Sequence, residues 1–82
     1  MAEVIMYGAD WCGDCRRSEA LLKALNVEYE KRDVEQSAEY TEEARSISGR
    51  TNIQVIVFTD GKFLVEPSDP DLHAELTIRG LV

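Results

Sequence analysis

The sequence predicts an α/β fold, in which a four-stranded mixed sheet carries helices on both faces and residues 1–82 form one domain. Short β-branched runs alternate with segments of helical periodicity, which gives the order β-α-β-α-β-β-α. A TDG turn at 59–61 is typical of a hairpin between the last two strands. The chain has only 82 residues, which is enough for one modest hydrophobic core.

The first half of the chain predicts a β-α-β unit followed by a second helix. Glu3–Tyr7 is a short apolar run and predicts the first strand. A helix is expected from about Cys12 to Asn26, and a strand of weaker signal, charged enough to lie at a sheet edge, at Glu28–Val34. The second helix is expected from a Ser37 cap to Gly49. The residues expected to face inward from these two helices are Ser18, Leu21, Leu22, Leu25, Tyr40, Ala44 and Ile47.

The second half predicts a hairpin and a final helix. Ile53–Phe58 is the most apolar strand, and Lys62–Val65 is its antiparallel partner across the turn. Asp69 is expected to cap the last helix, with Pro70 at its first position. The side of this helix expected to be buried contains Leu72, Leu76 and Ile78.

Composition and charge exclude several classes of function. Sixteen acidic residues oppose nine basic ones, and the resulting charge of −7 repels nucleic-acid phosphates and anionic membrane surfaces. The N-terminal segment lacks the pattern of a secretory signal, and no apolar run is long enough to span a membrane. We therefore expect a cytoplasmic protein with no nucleic-acid or membrane partner, in a compartment that keeps ordinary thiols reduced.

The two cysteines of the sequence form a CGDC motif where the first strand passes into the first helix. At this spacing, Cys12 and Cys15 can approach closely enough to form a disulfide. Cys12 is expected near the helix N-cap and exposed, where backbone N–H groups favour its thiolate form and make it the attacking sulfur. Cys15, one turn further on, is expected to be buried and to resolve a mixed disulfide. Gly13 leaves room for the sulfur of a partner.

Charged residues around the motif are expected to tune the reactivity of the cysteines. Asp14 makes a thiolate on Cys12 more costly, whereas Arg16 and Arg17 offset that cost in part. If the carboxylate dominates, the reduced form is destabilised and the pair is a stronger reductant than a neutral equivalent.

A metal site and a coincidental spacing are the alternatives to a redox pair. A closed zinc or rubredoxin-like site needs four ligands, and this chain supplies one CxxC pair and a single distant histidine, His73. No resident metal is therefore expected in a monomer, although a metal or iron–sulfur cluster shared by Cys12 from two chains stays open. Absorption of visible light by the purified protein would distinguish such a cluster from a dithiol.

The chain resembles the glutaredoxins of the thioredoxin superfamily, more narrowly the mycoredoxin-like branch, over essentially all of its residues. The resemblance rests on YGADWCGDCRR, on LLKALNVEYEKRDVE and on FTDGKFLVEPSDPDL. It implies a thioredoxin fold and a thiol–disulfide oxidoreductase in which Cys12 attacks and Cys15 resolves. It also implies that Trp11, the aromatic residue before the first cysteine, contacts the substrate.

The resemblance further implies the reaction partners. The substrates are disulfide-containing proteins or mixed disulfides of small thiols. Electrons come from a low-molecular-weight thiol, glutathione or mycothiol, or from a flavin disulfide reductase, with no tightly bound cofactor. We expect a monomer. Ser68 and Asp69 at the start of the last helix are candidates for binding the thiol, although capping of that helix is the alternative role.

One segment departs from the family pattern. Glutaredoxins carry a cis-proline before the third strand, whereas this chain has Thr51, Asn52, Ile53 and Gln54 there. Gln54 takes the proline's position, or Ile53 if the loop is one residue shorter, and a trans bond is expected because a cis bond to a non-proline residue costs about 2.5–4 kcal/mol. We expect these four residues to border the substrate groove.

Overall fold

A computed structural model of the chain describes residues 3–49 and 54–82. The elements are β1 (Val4–Gly8), α1 (Gly13–Ala24), β2 (Glu30–Asp33), α2 (Ala38–Ser48), β3 (Val55–Phe58), β4 (Phe63–Val65) and α3 (Asp69–Ile78). This order confirms the predicted β-α-β-α-β-β-α arrangement. β1 is shifted by one residue from the predicted strand, and the other three strands are shorter than predicted.

The four strands form one mixed sheet in the order β2-β1-β3-β4. β1 pairs in parallel with β2, while β1 with β3 and β3 with β4 are antiparallel. The charged β2 lies at an edge, as predicted, because its half-exposed side chains tolerate water there. β1 and β3 lie at the centre and provide most of the buried strand residues.

Helices cover both faces of the sheet, which confirms the predicted fold class. Side chains of β1 alternate, so Met6 packs into the core beneath α1 and α3, whereas Tyr7 packs with α2 on the opposite face. Leu22 of α1 and Leu72 of α3 are fully buried on the first face. This face also holds both cysteines.

The ends of the helices explain two corrections. Ser68, not Asp69, is the N-cap of α3, and its hydroxyl accepts a hydrogen bond from the Asp71 N–H at 3.3 Å. The prediction that Ile78 is buried was wrong: it is 79% exposed, because two residues after the buried Leu76 a helix has turned by about 200° to its opposite face.

The second helix begins and ends where the sequence predicted. Ser37 occupies the N-cap position of α2, although its side chain makes no capping hydrogen bond. Gly49 ends the helix in the left-handed conformation with φ 69°, which glycine adopts without steric cost. None of the helices in the described part of the chain is long and apolar enough to cross a membrane.

Candidate active site

The two cysteines lie where β1 passes into α1. A tight turn follows Gly8, in which the Cys12 N–H donates to the Ala9 carbonyl at 3.1 Å. Cys12 is the N-cap of α1, and its Sγ accepts a hydrogen bond from the Cys15 N–H at 3.2 Å. The sulfur thus takes the position of a capping oxygen, and a helical N–H points at it, as the sequence predicted.

Cys12 is less exposed than the sequence suggested. Only 8% of the residue is accessible, because the turn directs its sulfur back over the start of the helix. Its neighbour Trp11 is 63% exposed and donates from the indole nitrogen to the Glu35 carboxylate. Gly13 on the other side is exposed, and a Cβ added there would meet nothing within 4 Å. The slightly accessible Cys12 is therefore preceded by an exposed aromatic residue and followed by an exposed glycine.

Cys15 is fully buried, as predicted, and both thiols are free. Burial, together with a hydrogen bond to Cys12, raises the pKa of Cys15 to about 12. The sulfur lies directly against Gly8, since a Cβ built there would stand 2.6 Å from Cys15 Sγ. Gly8 is thus required for this close packing.

Asp14 pairs with Arg17, one of the two arginines that the sequence predicted to offset its charge, and the structure records no ion pair between Asp14 and Arg16 among the described residues. Arg17 Nη2 lies 3.1 Å from Asp14 Oδ1, one helical turn away. Arg17 also donates to the Pro67 carbonyl at 3.4 Å and so connects α1 with the segment before α3. The (i, i+3) spacing of Asp14 and Arg17 was the signal that identifies this pair.

Arg16 faces a different group of residues. It lines an open groove of about 510 Å³ along the outer side of α1, together with Asp10, Glu19, Ala20, Lys23 and Lys31. Lys31 and Glu19 were missed at the sequence level. Lys31 sits in a strand whose charges resemble ordinary edge protection, and only its register beside Met6 shows that it faces α1.

Gln54 is buried directly before β3. Its side chain is fully inaccessible, with Nε2 3.4 Å from the Asp14 carbonyl oxygen and 3.8 Å from Met6 Sδ. Its Oε1 and the Ser18 hydroxyl have no hydrogen-bond partner among the described residues. This burial removes the Gln54 side chain from the surface that a substrate meets, so only its backbone could border the groove.

The other predicted substrate contacts divide into two groups. Thr51, Asn52 and Ile53 lie outside the described residues. Ser68 is engaged as the cap of α3, and Asp69 Oδ1 lies 3.4 Å from Arg17 Nε, an ion pair without hydrogen-bond alignment. Both side chains therefore have internal partners next to the motif.

Within residues 3–49 and 54–82, no group of three or more histidine, cysteine, aspartate or glutamate side chains is arranged to hold a metal ion. The two cysteines are thus without further ligands of these kinds in the described part of one chain.

Comparisons with known proteins agree with this geometry. The family model for glutaredoxin matches residues 4–64. Two Mycobacterium tuberculosis proteins named as candidate glutaredoxins, from strains CDC 1551 and H37Rv, are 30% identical over 76 residues, which cover 92% of this chain and 90% of each relative.

Solved structures show the same fold. The crystal structure of glutaredoxin from Archaeoglobus fulgidus is 32% identical, has a TM-score of 0.78, and covers 90% of this chain and 85% of that one. A mutant of the thioredoxin-like protein BC3987 covers both chains fully with a TM-score of 0.80, and at 20% identity it supports the fold alone. The chain therefore belongs to the glutaredoxin family of the thioredoxin superfamily.

Proposed function

We propose that this protein is a dithiol oxidoreductase that reduces disulfides of proteins and mixed disulfides of small thiols. The observation that carries the proposal is the placement of the two sulfurs. Cys12 lies at the N-cap of α1 and its Sγ accepts the Cys15 N–H at 3.2 Å, while Cys15 is buried one turn further along the helix. This arrangement supports Cys12 as the attacking sulfur and Cys15 as the resolving one.

The reaction has two steps in which electrons balance. The Cys12 thiolate attacks one sulfur of the substrate disulfide, so that a mixed disulfide forms and the first substrate thiolate leaves. Cys15 then loses its proton and attacks Cys12 Sγ. The mixed S–S bond breaks, a Cys12–Cys15 disulfide forms, and the second substrate thiolate takes up a proton from solvent. Two electrons pass from the cysteine pair to the substrate.

Formation of the mixed disulfide on Cys12 makes the Cys15 thiol easier to deprotonate for the second step. In the free reduced protein, the hydrogen bond to Cys12 and the negative charge of its thiolate both help to raise the pKa of Cys15. When Cys12 is bound in a mixed disulfide, it carries no charge, so both contributions disappear. Cys15 therefore becomes easier to deprotonate once there is a bond for it to attack.

The exposed indole of Trp11 supports docking of a disulfide-bearing peptide or protein beside Cys12. The oxidised pair would be reduced by a low-molecular-weight thiol, glutathione or mycothiol as in the mycoredoxin-like branch, or by a flavin disulfide reductase. The two sulfurs hold both electrons, so the chemistry needs no tightly bound cofactor. We place this activity in the cytoplasm and assign it to a monomer.

A trapping experiment with two matched variants tests the proposal. The Cys15→Ser variant, incubated with a peptide disulfide, should accumulate a mixed disulfide visible by intact mass, because it can attack but cannot resolve. Cys12→Ser should form none, and the wild-type chain should release two peptide thiols and become an internal disulfide. Equal trapping by both variants would contradict the assigned roles, and visible absorbance with bound iron would favour a cluster instead.

A further inference from the structure

A group of three charged side chains lies on the face of the sheet that also contains the buried Cys15. This Lys31 cluster consists of Lys31, Asp10 and Glu19. Lys31 Nζ lies 2.9 Å from Glu19 Oε1 and also donates to Asp10 Oδ1. The Lys31 and Glu19 side chains are only 28% and 16% exposed, so this ion pair is better protected from water than an ordinary surface pair.

The register of the sheet places Lys31 under the same helix as Cys15. Lys31 pairs with Met6 in the parallel β1–β2 ladder, and paired residues point to the same face. Met6 packs in the core that contains Cys15. Glu19 follows Cys15 by four residues in α1 and so lies one turn along the same side of the helix.

The positive charge of Lys31 reaches Cys15. Burial is the largest contribution and raises the pKa of the Cys15 thiol, and the nearby lysine acts in the opposite direction, as does a backbone hydrogen bond from Ala9. Hydrogen bonds to Asp10 and Glu19 raise the pKa of Lys31, so that the ammonium keeps its charge. The sulfur of Cys15 therefore lies in an apolar environment and near the positive charge of Lys31, which is held in place by its two carboxylate partners.

We propose that Lys31 is a positioning residue for the second step, in which its ammonium, held by Asp10 and Glu19, stabilises the negative charge that develops on Cys15 as it attacks the mixed disulfide. The inference rests on the proposed function. Lys31 keeps its proton throughout. The Cys15 proton goes to solvent, the Cys12–Cys15 bond forms as the mixed disulfide bond breaks, and the departing thiolate takes up a proton from solvent.

The other described groups around Cys15 do not replace this charge. Cys12 is neutral in the mixed disulfide. Tyr29, the residue before β2, donates to Glu19 at 2.8 Å and so contacts a member of the cluster. Gln54, directly before β3, is an uncharged amide, and Leu72 and Leu76 of α3 are apolar. Arg17 is engaged with Asp14 and Asp69.

The reaction with dithiobis(nitrobenzoate) separates the two steps. Attack by Cys12 releases one coloured nitrobenzoate thiolate, and resolution by Cys15 releases a second, so stopped-flow absorbance records two phases. Lys31→Gln should leave the first phase unchanged and slow the second. Loss of the cation lowers the fraction of Cys15 present as thiolate, and the higher nucleophilicity of the weaker acid recovers part of the rate, so we expect the second phase to be about 3- to 10-fold slower.

The pH profile gives a second measurement that a purely structural role would not move. The second phase of Lys31→Gln should rise at higher pH than that of the wild type, because Cys15 then loses its stabilising cation. Lys31→Arg keeps the charge and should restore the second phase to within about twofold.

Lys23→Gln is the matched control. Lys23 belongs to the same groove and pairs with the same Glu19, at 3.8 Å, but its side chain is 70% exposed. The Lys23→Gln variant removes the same positive charge as Lys31→Gln and should leave both phases unchanged. Glu19→Gln removes a negative charge near Cys15, while the Asp10 carboxylate still holds the Lys31 ammonium, so its second phase should be equal to the wild type or faster.

Three results would overturn the inference. These are an unchanged second phase in Lys31→Gln, an equal slowing in Lys23→Gln, and a slower second phase in Glu19→Gln. If Lys31→Gln does not fold, as judged by circular dichroism, the Glu19→Gln and Lys31→Arg variants still decide the question. A wild-type chain that shows no second phase would instead refute the proposed function and is distinguishable from all of these.

Discussion

Replacement of Gly8 by alanine should destabilise the protein through one defined contact. A Cβ at this position would lie 2.6 Å from Cys15 Sγ and 3.2 Å from Cys15 Cβ. Non-bonded heavy atoms prefer separations of roughly 3.5–4.0 Å, so the added methyl overlaps the sulfur by about 1 Å. Cys15 is fully buried in a helix and has a short side chain, so the helix itself must move. We expect a loss of about 1–3 kcal/mol in the free energy of unfolding.

Urea denaturation of the reduced chain measures this loss, with Gly13→Ala as the control. Neither Gly8 nor Gly13 has a positive φ, and an added Cβ at Gly13 meets nothing within 4 Å. Gly13→Ala should therefore be as stable as the wild type or more stable, by up to about 1 kcal/mol, because it reduces the entropy of the unfolded chain. If Gly8→Ala unfolds at the same urea concentration as Gly13→Ala, the close packing of Cys15 on β1 is refuted.

Three further predictions concern reactivity, docking and pH. Asp14→Asn should make the redox midpoint less negative by up to about 30 mV in a thiol-buffer titration, since it removes a charge that opposes the Cys12 thiolate but is already paired; a more negative midpoint would contradict this. Trp11→Ala should lower kcat/KM for a peptide disulfide about tenfold with little change in stability, and unchanged kinetics would remove Trp11 from the docking surface.

The stability of the fold should also fall in acid. Glu75 has its pKa lowered mainly by a hydrogen bond from Lys62, and the pKa of Glu19 is lowered because bonds from Lys31 and Tyr29 outweigh the effect of burial. As pH falls below about 4.5, the unfolded chain binds protons before the folded chain does, so stability present above this pH is lost below it. Urea denaturation of the oxidised chain at several pH values measures the loss, and Glu75→Gln should reduce it.

Local sequence signals were sufficient for the order of elements. β-Branched runs such as IQVIVF, the TDG turn and the glycine after α2 each act within a few residues, so periodicity and turn chemistry predict them. Ile78 shows the limit of such signals. The sequence alone shows only that Ile78 is an apolar residue near the end of a helix, which is typical of a buried position. The orientation of α3 against the sheet decides which side is exposed, and it places Ile78 there.

The sequence predicted those features of the candidate site that depend on residues close together in the chain. It did not predict those that depend on how β2 pairs with β1. The N-cap position of Cys12 follows from the junction of a strand and a helix, and the structure shows its Sγ accepting from the Cys15 N–H. Lys31 joins the site only through the parallel pairing of β2 with β1, which places a lysine and a distant cysteine on one face. Pairing between strands is a long-range property that no local motif in EKRD reveals.

An equilibrium redox titration of the purified chain measures whether Cys12 and Cys15 act as a dithiol pair. The protein is equilibrated in thiol buffers of graded potential, the free thiols are alkylated, and intact mass counts the adducts. A working dithiol pair should show one two-electron transition in which two alkylated cysteines give way to none, with a midpoint in the range of about −180 to −300 mV. If both cysteines stay alkylatable across this range, or the mass shows bound metal, the pair is not a working dithiol.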